Sequence, residues 1–260
     1  MAIGTILLHM GNDECAPLRL QVAVELACRF DAFLDIYCLL SPGGGGENGI
    51  AASDRNGGIE EEVHRACRDR SYSWHELRVD GRMRALVARS GFADIVVISQ
   101  AHPEQTADDF LQGLPQRLPL EAPCPVLILP WDTQSEVSGR HILVAWKNCR
   151  EAGRALREAL PFLQMARRVT VLTVGFDSRD DSEPTDLSVY LARNGVEAEF
   201  HPDTTSDGDA GDVILAVAHE LECDLIVMGA YGHSRLRDMV LDSATHTVLS
   251  RMHVPVLMAH

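Results

Sequence analysis

The chain has 260 residues, 46% of them hydrophobic and 23% charged, which is enough apolar material for a buried core and a length that suits two domains. Its 38 acidic residues outnumber 23 Lys plus Arg, for a formal net charge of −15, and this excludes a broad electrostatic grip on nucleic acid phosphates or on an anionic membrane surface. The seven cysteines are scattered without a C-x-x-C pair and no apolar run approaches the roughly 18 residues of a membrane span, so reduced thiols in a cytoplasmic protein are expected, with neither nucleic acid nor membrane as partner.

In chain order, the first element is the apolar run Ile6 to Leu8, which passes through His9-Met10-Gly11-Asn12 into polar residues. Ser41 to Gly58 contains Gly43-Gly44-Gly45-Gly46 and Asn56-Gly57-Gly58 and reads as a loop; no Gly-Lys-Ser/Thr follows the glycine run, so it is not a phosphate-binding P-loop. Ala93 to Ser99 and Pro123 to Leu129 are further strands, and Thr133 to Ser138 is a polar linker. Beyond it the pattern returns. Ile142 to Asn148 matches Ile6 to Asn12, Cys223 to Gly229 matches Ala93 to Ser99, and His253 to Ala259 matches Pro123 to Leu129. Three strands in the same order mark an internal duplication, with domains at 1–132 and 139–260.

In the second half, Arg150 to Phe162 carries Ala152, Ala155, Leu156, Ala159 and Leu160 at helical spacing, Val169 to Val174 is a β-branched strand, Phe176 to Thr185 is an acidic loop, and Asp212 to Leu221 is a helix. The strands are continuous apolar runs without polar alternation, as a parallel sheet covered on both faces requires. Strand-helix alternation predicts two tandem, doubly wound α/β domains.

In such sheets ligands bind beyond the carboxyl ends of the strands, where the strand order reverses. That directs attention to the residues after Val144, Val174 and Met228. After Met228 the chain reads Gly229-Ala230-Tyr231-Gly232, with Asp242-Ser243-Ala244 further on. The two glycines let backbone approach a ligand, and Ser243 stands where it caps the last helix and offers a hydroxyl to a phosphate. Tyr231 and Trp146 suit packing and ligand contact equally. Cys149 reads as an ordinary partly buried thiol at a helix start, and Arg235 and Arg237 as solvated or paired. The His9-x-Gly11-Asn12 run lacks the second histidine that a nucleotidyl-transfer site needs, no histidine pair has metal-ligand spacing, and no nucleophile, base and orienting group assemble.

Gly229, Gly232, the spacing to Ser243, the stretch His233-Ser234-Arg235-Leu236-Arg237 and the ending Val254-Pro255-Val256-Leu257 together resemble the universal stress protein family, in tandem over both halves. The resemblance implies a five-stranded parallel sheet per domain, frequent dimerisation or tandem pairing, and in one branch ATP or AMP held by the glycine loop, with Mg as the metal that would accompany ATP. Other branches share the fold and bind no nucleotide. Carried onto this chain, the phosphate and ribose contacts fall to Gly229, Gly232, Ser243 and Ala244, and the base lies between Ala145 and Val174. Two positions depart. Lys147 stands where nucleotide-binding members commonly have aspartate, and Asp242 stands where the family's usual fingerprint, Gly, two residues, Gly, nine residues, then Gly followed by Ser or Thr, has its third glycine. A carboxylate about 5 Å from a phosphate charge costs roughly 3 kcal/mol at an effective dielectric of 20, about a hundredfold in affinity. The expectation is therefore a non-catalytic stress-response protein binding adenine nucleotide in its second domain; the alternative is an interaction module whose site Lys147 and Asp242 close. The first domain, with Ser99 to Gln105 lacking both glycines and Leu114 to Pro119 in place of the fingerprint's end, is expected to be a degenerate partner.

Overall fold

The computed structural model describes residues 2–11, 13–40, 52–68, 70–102, 108–132, 138–174, 182–203, 209–231 and 244–260. The chain divides into two compact units, Ala2–Gln134 and Ser135–His260. The N-terminal unit runs β1 (Thr5–Met10), α1 (Ala16–Phe30), β2 (Phe33–Leu40), α2 (Ala52–Ala66), β3 (Tyr72–Arg78), α3 (Arg82–Ser90), β4 (Ile95–Ser99), α4 (Asp109–Glu121) and β5 (Val126–Leu129). The C-terminal unit repeats the order with β6 (His141–Trp146), α5 (Arg150–Leu163), β7 (Arg168–Val174), α6 (Ser182–Arg193), β8 (Glu199–Asp203), α7 (Ala210–Glu220), β9 (Leu225–Gly229), α8 (Ala244–Arg251) and β10 (Val256–Ala259).

Each unit is an open parallel sheet, ordered β3-β2-β1-β4-β5 in the first and β8-β7-β6-β9-β10 in the second. The doubly wound fold expected from the apolar runs is present in both. Ile6, Leu8, Ile95, Val96, Val97 and Ile98 in one unit, and Ile142, Leu143, Leu225, Ile226 and Val227 in the other, are almost wholly buried, because central parallel strands are covered on both faces. The strand order reverses between β1 and β4, and again between β6 and β9, and the register there is equivalent: Ile6 pairs with Ile95 as Ile142 pairs with Leu225.

The amino ends of these central strands are tied alike. Asp94 Oδ2 accepts the N–H groups of Gly4 (2.8 Å) and Thr5 (2.9 Å), and Asp224 accepts those of Arg140 (2.9 Å) and His141 (3.1 Å). The carboxylates thereby satisfy backbone donors that the ladder leaves over.

Two loop readings need correction. The segment Ser41 to Gly58 is not a loop throughout, since α2 begins at Ala52 and runs through Asn56-Gly57-Gly58. Each glycine costs about 1 kcal/mol relative to alanine in a helix, but Ile59, Val63 and Cys67 put a buried stripe at four-residue spacing on the same segment, and burying an Ile or Val side chain yields about 1.5–3 kcal/mol. Tertiary burial outweighs propensity here. Likewise the acidic stretch Phe176 to Thr185 ends inside α6, which starts at Ser182. The four-glycine run and the rest of that acidic stretch lie outside the described residues.

Candidate functional site

The carboxyl edge of the C-terminal sheet brings several of the expected residues together. At the end of β6, Ala145 pairs with Met228 of β9, and Trp146 pairs with Thr173 of β7. Lys147 therefore follows β6 beside Val174, the last residue of β7, while Gly229 closes β9 one step beyond Met228. Ala244 opens α8, and that helix is held to the loop after β9 by a hydrogen bond from the Tyr231 N–H to Oγ1 of buried Thr245 (3.0 Å). Gly232, Asp242 and Ser243 lie outside the described residues, as do Arg235 and Arg237.

Gly229 has a definite steric reason. A Cβ there would stand 2.6 Å from the Ala152 nitrogen and 2.7 Å from the Glu151 carbonyl carbon. The glycine is what lets the first turn of α5 close onto the end of β9, which brings helix amides to the crevice. Tyr231 is held at φ 53°, the left-handed region that side chains other than glycine and asparagine seldom adopt. Its neighbour Ala230 is pinned on both sides, its N–H to the Ala259 carbonyl (2.8 Å) and its carbonyl to His260 Nδ1 (2.9 Å).

The start of α5 is electrostatically occupied on one side. The Glu151 carboxylate is held below its usual range, first by a hydrogen bond from its own backbone N–H, which with the Cys149 thiol and the charges of His260 and Arg150 outweighs the opposing effect of burial. Lys147 is exposed and forms no side-chain hydrogen bond or ion pair among the described residues. Cys149 is half-buried and precedes α5 in an extended conformation, without capping the helix through its side chain.

The N-terminal unit presents a different carboxyl edge, one that the sequence pattern alone did not disclose. Arg19 of α1, only 2% exposed, turns its guanidinium into the crevice between β1 and β4. Its Nε donates to the His9 carbonyl (3.1 Å), Nη1 to Ser99 Oγ (2.7 Å) and to Asp13 Oδ1 (2.8 Å), and Nη2 to Asp13 Oδ2 (2.6 Å). This is a bidentate, charge-assisted pair. Burial alone would raise the Asp13 carboxyl, but the Arg19 hydrogen bonds and charge outweigh it and the net shift is downward. His9 is pushed down to about 3, by burial first and then by the Arg19 charge, so its imidazole is neutral throughout the physiological range. A ring edge of His9 meets Phe110 (5.4 Å between centroids), and Arg82 lies 4.3 Å over the same Phe110 while gripping Asp108 with both terminal nitrogens.

The signal for Arg19 was present. It falls on the buried stripe of α1, among Ala16, Leu20, Ala23, Leu26 and Ala27, and a cation on an apolar face needs a partner. The same stripe in α5 is Ala152, Ala155, Leu156, Ala159, Phe162 and Leu163, so Arg19 matches Ala155 with no gap. By that alignment and the matched strands, His9, Asp13, Arg19 and Ser99 correspond to Ala145, Cys149, Ala155 and Gly229.

The comparisons with known proteins agree with this architecture. The sequence profile of the universal stress protein family matches residues 139–260. A universal stress protein of Synechocystis sp. is 26% identical over 176 residues, which span 64% of this chain and 58% of the relative. Among solved structures, a universal stress protein from Archaeoglobus fulgidus DSM 4304 superposes with a TM-score of 0.74 at 16% identity, over 98% of this chain and 97% of that one. A functionally unknown protein from Pseudomonas aeruginosa PAO1 does so with a TM-score of 0.67 at 19% identity, over 99% and 92%. These structural likenesses extend the fold over both units, and residues 139–260, nearly the whole C-terminal unit, match the universal stress protein family.

Proposed function

We propose that this chain is a stress-response protein of the cytoplasm that binds one adenine nucleotide, ATP or AMP, at the carboxyl edge of its C-terminal unit, and that it acts by binding rather than by turnover. The observation that carries the reading is the contrast at the two switch points. Where the N-terminal unit has His9, Asp13, Arg19 and Ser99 filling the crevice with a hydrogen-bonded ion pair, the C-terminal unit has Ala145, Cys149, Ala155 and Gly229, all small. Small side chains at a switch point leave backbone amides within reach of a ligand, and the first turn of α5 supplies such amides. Gly229, Gly232, Ser243 and Ala244 are the proposed phosphate and ribose contacts, with Ala145 and Val174 beside the base. Lys147 offsets part of the repulsion from Asp242 by pairing with a phosphate. The N-terminal unit is then a non-binding partner in tandem pairing or dimerisation.

The test is mass spectrometry of small molecules released from the denatured, purified chain, followed by calorimetric titration with ATP and AMP. Co-purified adenine nucleotide, or a dissociation constant in the micromolar range, on the order of −8 kcal/mol, is the expected result. An empty protein with no binding up to millimolar nucleotide overturns the reading and turns attention to protein partners.

A further inference from the structure

We propose that the N-terminal unit contains an anion receptor built around Arg19, and that Asp13 is its built-in occupant, an autoinhibitory contact that keeps small oxyanions out. The receptor is assembled without Asp13. Two of the guanidinium's contacts, to the His9 carbonyl (3.1 Å) and to Ser99 Oγ (2.7 Å), come from the ends of β1 and β4 and fix the fork in place. The Arg19 side chain is 3% exposed, so a second solvation shell is denied to it and the outward edge of the fork demands an anion. Among the described residues, the other nearby charges do not supply one. Arg82 and Asp108 neutralise each other through a bidentate pair, and the buried His9 ring is uncharged.

Asp13 meets the demand from a segment between elements. It belongs to neither β1 nor α1, and besides Arg19 its carboxylate receives only the Cys15 N–H (3.1 Å) among the described residues. A planar carboxylate presented to the outer edge of a guanidinium has the chemistry of a free carboxylate or of two phosphate oxygens. The ligand class that the receptor would take, with Asp13 withdrawn, is therefore a small carboxylate or inorganic phosphate. This inference concerns the N-terminal unit and does not depend on nucleotide binding by the other.

The test uses the full chain and thermal unfolding in acetate, inorganic phosphate and, as the ionic-strength control, chloride. Asp13→Ala is expected to gain a saturable rise in Tm of about 2 °C or more with acetate or phosphate near ~50 mM, beyond the chloride control. The wild type and the double variant Asp13→Ala/Arg19→Met are expected to gain none. If Asp13→Ala folds only when acetate or phosphate is added, that dependence supports the receptor equally. Asp13→Asn, which removes the charge and keeps the shape, repeats the measurement on a milder background. Should neither single variant respond more than the wild type, or should the double variant respond as they do, Arg19 is a structural ion pair and the receptor is refuted.

Discussion

The two units place opposite contents at the same point of the same fold. In the N-terminal unit, three polar side chains and a backbone carbonyl converge on the gap between β1 and β4, where the Arg19 cation, the Asp13 carboxylate, the Ser99 hydroxyl and the His9 carbonyl satisfy one another. In the C-terminal unit the corresponding side chains are alanine, cysteine, alanine and glycine, and the helix that follows β6 closes onto β9 through the bare Gly229. A doubly wound sheet must place something at its switch point, since strand ends there splay apart and expose backbone donors. One unit answers with its own side chains, and the other sets small side chains and the backbone of α5 at the same place.

Transplanting the polar set would break the contrast most directly. Cys149→Asp with Ala155→Arg gives the C-terminal unit the Arg19–Asp13 pair, and calorimetry is expected to show nucleotide affinity reduced more than a hundredfold. Next in size, Arg19→Ala leaves Asp13 buried without its cation. Breaking a buried pair from one side costs about 3–5 kcal/mol, measurable by urea unfolding, whereas Arg19→Met with Asp13→Leu is expected to lose far less. Gly229→Val forces a side chain into the backbone of Glu151 and Ala152, with an expected cost of about 1–3 kcal/mol and loss of nucleotide binding. Ser99→Gly at the matching place only loses a hydrogen bond to Arg19.

The pH dependence follows from Asp13. Its folded-state pKa lies below its usual value because of Arg19, so the unfolded chain binds the proton more readily. The stabilisation is present above the unfolded pKa, near 4, and is lost as pH falls through the depressed folded value. Acid unfolding of the wild type below pH 4 is expected to be steeper than that of Arg19→Met/Asp13→Leu, which a pH series of melts would show. The smallest effect belongs to Arg168–Glu199, an exposed pair at 2.6 Å on the edge of the C-terminal sheet. Glu199→Gln is expected to leave Tm unchanged, because solvent and salt screen such pairs.

The sequence disclosed the fold more fully than the site. Continuous apolar runs such as Ile95 to Ile98 and Leu225 to Met228 are buried on both sides and so carry no polar residues, which made the central strands visible. The edge strands were harder. β3, with Tyr72 to Arg78 mostly half-exposed, and β8, with Glu199 and His201 on it, have no continuous apolar signature. Helix α2 was hidden because glycine content is a local signal and its stabilisation is tertiary. The pattern reads Gly229 as a place where backbone approaches a ligand, and what stands against it is the backbone of α5. Arg19 was missed because its meaning depends on Asp13 and Ser99, the latter reached only through the sheet.

The aspartates at the amino ends of the central strands bear on how the chain is made. Asp94 holds Gly4 and Thr5 at the start of β1, which lies in the middle of its unit's sheet and, made before β4, waits for it to complete its pairing. At about 5–20 residues per second, that leaves one edge of β1 open for several seconds on the ribosome. β6 repeats the delay with β9, and Asp224 ends it. Each unit thus closes its centre late, with only β5 or β10 still to add beside β4 or β9, and a nascent chain stopped short of Asp94 or of Asp224 holds a sheet that lacks its keystone.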